Sequence, residues 1–150
     1  MNPFCIIPCG RRKIWDTNPN AGPTLAENVY TGSFATKCRE YARTFYPFSW
    51  GILSAKYGFL FPDDIVPGPY NVCFDDKKTC PVTIEELSAL AVKKGLDGYD
   101  TIVVLGGKHY VNMVKAVFFA REVYAPLSGY SGIGYMMKAL KGAIIKEVPL

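Results

Sequence analysis

TIVVLGG, residues 101–107, sets the architecture of this 150-residue chain. A β-branched run that stops at a glycine pair reads as a buried strand ending in a turn. Directly after it Val111, Val114, Val117 and Phe118 recur at helical spacing, so residues 108–121 read as a helix with one apolar face. Strand, glycine turn and helix in that order is the step from which parallel α/β sheets are built.

The same step recurs upstream and downstream. Residues 4–8, FCIIP, are an apolar run closed by Pro-Cys-Gly and suit a central strand. From Ser33, Phe34, Cys38, Tyr41, Ala42 and Phe45 keep helical spacing, with Lys37, Arg39, Glu40 and Arg43 between them, until Pro47 stops the helix. SWGILS, 49–54, returns to strand character. Residues 56–78, proline-bearing with scattered aromatics, read as a long loop of the kind compact domains keep for function. Thr83 with Glu86 three residues on forms a capping box, and Lys93, Lys94 and Gly95 close that helix. A fourth short strand is expected at 123–127. SGYSGIG then leads into a helix with Ile133, Met136, Met137 and Leu140 inward and Lys138 and Lys141 outward, and AIIKEV, 143–148, is expected as a last edge strand. The alternation predicts an α/β fold, a three-layer sandwich with a mainly parallel four- to five-stranded sheet, as one domain over residues 1–150.

Composition narrows the class. With 49% apolar and 20% charged residues and no low-complexity segment, the chain is globular. No run reaches the roughly 20 apolar residues of a membrane helix. The first apolar run is too short for a signal-peptide core and its charge follows it. The expectation is a soluble, cytoplasmic protein without a membrane partner. Five cysteines, Cys5, Cys9, Cys38, Cys73 and Cys80, form no secreted-type framework and read as reduced thiols. Their spacing and the distance of the single histidine, His109, predict no metal, and no cofactor fingerprint is present. A formal charge of +4 permits a nucleic-acid partner without demanding one.

Ligands of parallel sheets bind at the carboxyl ends of the strands. The segments falling there are PCGRRK, SAKYG, GGKHY and PLSGYSG; all carry glycine and three carry cations. Glycine turns and helix N-termini present backbone N–H groups to anions, and phosphate is the anion that suits Arg11, Arg12, Lys13, Lys56 and Lys108. Aromatic residues interleave with these cations: Trp15, Tyr30, Tyr57, Phe59, Tyr70, Tyr110, Tyr124 and Tyr130. Such rings stack bases, and Tyr57 and Tyr70, in loop context, are the candidates for contact. Ser54 and Ser128 are candidate hydrogen-bond donors, and Cys9, Tyr30, Ser33, Gly107 and Gly129 complete the candidate binding set. Each loop also reads as turn chemistry, and each ring as packing. Asp63 and Asp64, near Lys56, are the candidate catalytic acids for N-glycosidic bond cleavage; the same Pro-Asp-Asp run reads equally as a turn or cap. His109 reads as a helix-start residue, and Cys9 as either a reactive thiol or a turn residue.

VYTGSF, 29–34, and ILSAKYGFLFPDDIVPGPY, 52–70, resemble the YaaA family of peroxide-stress proteins. In that family VYTG precedes a Leu-Ser-x-x-Tyr-Gly run ending in Pro-Asp and Pro-Tyr. With IPCGRRK and PLSGYSGIG added, the whole chain looks like a compact relative. The resemblance implies DNA binding in oxidative stress rather than a defined reaction. APLSGYSGIG, 125–134, is similar to the Pro-Leu-Ser loop of the uracil-DNA glycosylase superfamily, which implies phosphate or substrate contact at Leu127, Ser128 and Gly129. The catalytic histidine before that loop would fall near Val123, and PCGRRK replaces the water-activating aspartate expected after the first strand. The expectation is therefore a domain that binds DNA, RNA or a nucleotide and acts on the N-glycosidic bond of a modified base. The alternatives are a non-catalytic DNA-protective module of the YaaA type and a small-nucleotide hydrolase or transferase.

Overall fold

The computed structural model describes residues 2–150. The chain runs β1 (Pro3–Pro8), α1 (Ile14–Thr17), β2 (Thr24–Leu25), α2 (Ala26–Val29), α3 (Ser33–Phe45), β3 (Trp50–Ser54), β4 (Gly58–Leu60), β5 (Ile65–Val66), α4 (Ile84–Lys93), β6 (Thr101–Val104), α5 (Lys108–Val117), β7 (Glu122–Tyr124) and α6 (Ile133–Lys146). Five strands form one sheet in the order β4-β3-β1-β6-β7. β1 pairs in parallel with β3, from Cys5–Trp50 to Pro8–Leu53, and with β6, from Pro3–Thr101 to Ile6–Val104. β7 continues the parallel run beside β6, and β4 turns back antiparallel on β3. The mainly parallel sheet expected with four to five strands has five, and its fifth strand is Gly58–Leu60 rather than the expected 143–148.

Strand side chains alternate between two cores. Cys5, Ile7, Val103 and Leu105 pack with Cys38 and Tyr41 of α3 and Met136 and Leu140 of α6. Phe4, Ile6, Ile102 and Val104 pack with Leu87 of α4 and Val111 and Val114 of α5. Both faces of β1 are therefore covered, which explains why its sequence is apolar without alternation. α3 lies against α6 and α4 against α5, giving helices on both faces of the sheet.

The chain goes from β1 to β3 on one side and only later to β6 on the other. The carboxyl end of β1 is thus the place where the winding reverses, the position at which doubly wound sheets open a crevice.

Several local expectations are corrected. AIIKEV is not an edge strand. Ala143 is buried with Met136 and Leu140 on one helical stripe, so α6 continues to Lys146. It closes where Glu147 turns left-handed (φ 57°) and Val148 N–H donates to the Ala143 carbonyl at 3.1 Å. Ile133 is 58% exposed rather than inward, in the first turn of α6. The 56–78 segment is not all loop: Gly58–Leu60 pairs with β3, and Ile65–Val66 pairs with Thr24–Leu25 as a separate antiparallel ribbon. The helix expected over 108–121 ends at Val117, and the fourth parallel strand is Glu122–Tyr124 rather than 123–127. The Thr83–Glu86 capping box forms as read, with reciprocal bonds of 3.1 Å. Among the described residues no helix is long and apolar enough to cross a membrane.

Candidate nucleotide site

Three helices begin at the crevice, and all begin at a glycine. Gly32, Gly107 and Gly132 are the N-caps of α3, α5 and α6, helices of 13, 10 and 14 residues, and none supplies a side-chain cap. The first-turn N–H groups are left for water or a ligand to satisfy, with the positive end of each helix dipole behind them. All three glycines line one cavity of about 670 Å³, together with Ser33 and the cations Arg11, Arg12 and Lys108. The tight turn from β6 into α5 depends on Gly106. Its φ is +134°, and a Cβ there would meet that of Tyr110 at 3.3 Å.

Cys9, Gly10, Arg11, His109 and Tyr110 also line a second cavity of about 280 Å³. Its apolar wall is Ala55, Val72, and Phe74, whose ring stands edge-on to Tyr110 at 5.7 Å and to His109 at 6.2 Å, and Lys13 and Asp75 line it as well. The Cys9 thiol lies 3.2 Å from the Tyr110 hydroxyl. Burial pushes the Cys9 thiol above its usual range, outweighing the Tyr110 hydrogen bond and the charge of Lys13. The Cys9 thiol is thus held at the turn against Tyr110, on the wall of both cavities.

Lys13 lies between this cavity and a third of about 390 Å³ that is lined by Tyr70, Asn71 and Thr79. Local backbone contacts hold it there. Lys13 bridges to Tyr30, Thr31 N–H donates to the Arg12 carbonyl at 3.1 Å, and the Asp16 carboxylate accepts the Lys13 N–H at 2.8 Å. The ammonium donates to the Arg11 carbonyl at 3.1 Å and sits 4.5 Å from the centre of the Tyr70 ring.

Tyr30 and three residues of the 52–70 segment, Ser54, Tyr57 and Tyr70, meet beside it. Ser54 Oγ accepts the N–H groups of Lys56 (3.2 Å) and Tyr57 (3.1 Å) and lies 3.0 Å from the Tyr70 hydroxyl, which in turn hydrogen-bonds Tyr30. Tyr57 stands edge-on to Tyr70 at 5.4 Å, and the Lys56 ammonium lies 5.3 and 5.7 Å from their ring centres. Burial pushes Tyr70 up to about 12, partly offset by its bonds to Ser54 and Tyr30. Burial raises Tyr30 and Tyr110 further. All three are protonated hydroxyls at neutral pH, suited to hydrogen bonding and not to acting as bases. The ring of Tyr70 is already engaged by Lys13 and Tyr57, so the aromatic surfaces facing the 280 Å³ cavity are those of Phe74 and Tyr110.

The expected acids are placed elsewhere. The Asp64 carboxylate accepts the Phe61 N–H at 2.7 Å and the Lys94 ammonium at 2.5 Å, fixing the turn before β5. Asp63 is exposed, and neither these acids nor Lys56 lines any of the three cavities. The carboxylate in the 280 Å³ cavity is Asp75, paired with Arg11 at 3.4 Å; Asp16 and Asp76 line the 390 Å³ cavity. A second Asp-Asp pair in the long loop was the available signal for Asp75 and Asp76. Ser128 donates to the Ala125 carbonyl at 2.9 Å, and neither it nor Gly129 lines these cavities. From that loop Gly132 and Ile133 do. Among the described residues no three His, Cys, Asp or Glu side chains gather as metal ligands would.

Residues 5–142 match the model of a family described as a family of unknown function, DUF6884. Over 145 residues the chain is 46% identical to a protein of Bacillus subtilis (strain 168) described as uncharacterized protein YfjM, and the match covers 96% of each chain. No solved structure matches the chain.

Proposed function

The chain belongs to the DUF6884 family, and on that premise we propose from its site that it binds a nucleotide, free or within a DNA or RNA strand, across the carboxyl ends of its strands. The observation that carries this reading is the convergence of three glycine-capped helix N-termini with Arg11, Arg12 and Lys108 on one cavity. That cavity takes the phosphate. The adjoining cavity, with Phe74 and Tyr110 in its walls, takes the base. The sequence resemblance to the YaaA family supports a nucleic-acid setting, and the similarity of the 125–134 loop to the uracil-DNA glycosylase superfamily supports a fold of that kind. Cleavage of an N-glycosidic bond is the reaction in keeping with this arrangement. Of the carboxylates considered, Asp75 lines the base cavity, and Asp63 and Asp64 stand outside the cavities. The +4 charge favours a second reading, a DNA-binding protective module without a reaction.

Calorimetric titration with 5′-mononucleotides and short single-stranded oligonucleotides tests the site. Arg12→Ala and Lys108→Ala are expected to weaken binding about tenfold or more, the usual worth of a charge-assisted phosphate contact. Absence of binding to any nucleotide or strand would sink the proposal. Mass spectrometry of the incubated strands separates the two readings: release of a free base makes the protein a glycosidase, and binding without release makes it a protective module.

A further inference from the structure

Lys13 is a buried charge that the fold itself leaves without a counter-ion. The residue is 7% exposed, yet it forms no ion pair with the described residues. Its ammonium makes one hydrogen bond, to the Arg11 carbonyl at 3.1 Å, and faces the Tyr70 ring. An ammonium has three donors and no acceptor, and burying it without a partner is costly. A ligand filling the 280 Å³ cavity gains by offering it a lone pair.

The same cavity contains an acceptor of opposite character. Asp75 is held by its pair with Arg11 at 3.4 Å, with 79% of the Arg11 side chain and 72% of the Asp75 side chain exposed. Exposed pairs of this kind contribute little, so the carboxylate can take an N–H from a ligand at small cost. Arg11 stands between the two groups: its carbonyl accepts from Lys13 and its guanidinium holds Asp75.

Building on the nucleotide reading above, we infer that this cavity reads the lactam edge of a base, the ring N–H beside a carbonyl. Asp75 accepts the ring N–H and Lys13 donates to the carbonyl oxygen. Guanine, hypoxanthine, uracil and thymine carry that edge. Adenine and cytosine carry the reverse order, an exocyclic amine beside a ring nitrogen that only accepts. With the phosphate anchored at the three helix N-termini, the order of donor and acceptor along the edge is fixed. The wrong base then sets amine against ammonium and leaves both protein groups unpaired.

The test compares GMP, IMP, UMP, AMP, CMP and ribose 5-phosphate by calorimetry at one salt concentration. GMP, IMP and UMP are expected to bind at least about tenfold tighter than AMP and CMP, the scale of discrimination that unpaired polar groups enforce. Asp75→Asn sits on the surface, and its amide can present either a donor or an acceptor, so it should narrow the gap between the two groups of nucleotides while the Lys13 contact still favours GMP, IMP and UMP. Lys13→Met should narrow the gap likewise, and the wild-type ranking stands as the test should that variant fail to fold. Equal binding of all five wild-type complexes overturns the lactam reading and leaves the nucleotide reading intact. Ribose 5-phosphate binding as tightly as GMP removes the base from the second cavity, and no binding by any of the six overturns both readings.

Discussion

Tyr70 shows how the site is held together by side chains far apart in sequence. Its hydroxyl joins Ser54, which is fully buried, to Tyr30. Tyr70→Phe removes that link and leaves two buried hydroxyls short of a partner, so a loss of about 1–3 kcal/mol is expected in urea or guanidinium unfolding. An unchanged midpoint would mean that water replaces the phenol. Titration gives a second expectation. Tyr70 and Tyr41 are pushed up to about 12 by burial, from an ordinary 10.0, and burial also raises Cys5 and Cys38 above 9.0. The unfolded chain releases these protons first. Stability is therefore fully present below about pH 9 and falls as pH rises towards 12. Unfolding free energies measured from pH 7 to 11 should decline only above about 9, and Tyr70→Phe should flatten the upper part of the fall. Residues at strand ends were legible in the sequence, because Arg11, Arg12 and Lys108 follow apolar runs directly. The acids were not. Asp63–Asp64 and Asp75–Asp76 look alike in sequence, and what separates them is the partner each finds: Asp64 pairs with Lys94, 30 residues away, and Asp75 with Arg11, 64 residues away at the crevice.

The β3–β4 hairpin is closely packed at Gly51. A Cβ on Gly51 would meet the Leu60 carbonyl oxygen at 2.7 Å and the Phe4 ring at 3.1 Å. Backbone cannot yield as a side chain can, so Gly51→Ala is expected to cost about 2 kcal/mol or more by shifting β4 off β3. A denaturation midpoint within error of wild type would contradict that packing. Long periodic elements were readable: α3, α4 and β6 lie where their spacing placed them. Short elements were not, since two- and three-residue strands such as β4 and β5 owe their existence to partners elsewhere in the chain. The 143–148 segment shows the ambiguity of an apolar run. Its isoleucines favour a strand, but Ala143 completes the stripe that Met136 and Leu140 begin, and packing on α3 prevails.

At the scale of the whole molecule, strand order lay beyond the sequence. Alternating elements implied a parallel sheet but not that β1 lies at its centre, with β3 and β6 on opposite sides. That order assembles the site, because it brings PCGRRK and GGKHY to one edge. Salt dependence is the corresponding test. If the ligand is a strand, its affinity should fall steeply with ionic strength, and Arg12→Ala should lower the logarithmic slope by about one. A mononucleotide should show a much shallower dependence. A slope untouched by Arg12→Ala would remove that residue from the phosphate contacts. The sheet also separates two apolar cores that communicate through its strands, one beneath α3 and α6 and one beneath α4 and α5. The glycine-lined cavity is where helices from both sides, α3 and α6 from one and α5 from the other, converge. An occupant there would act as a keystone, and amide exchange should slow in both halves of the molecule on a single binding event.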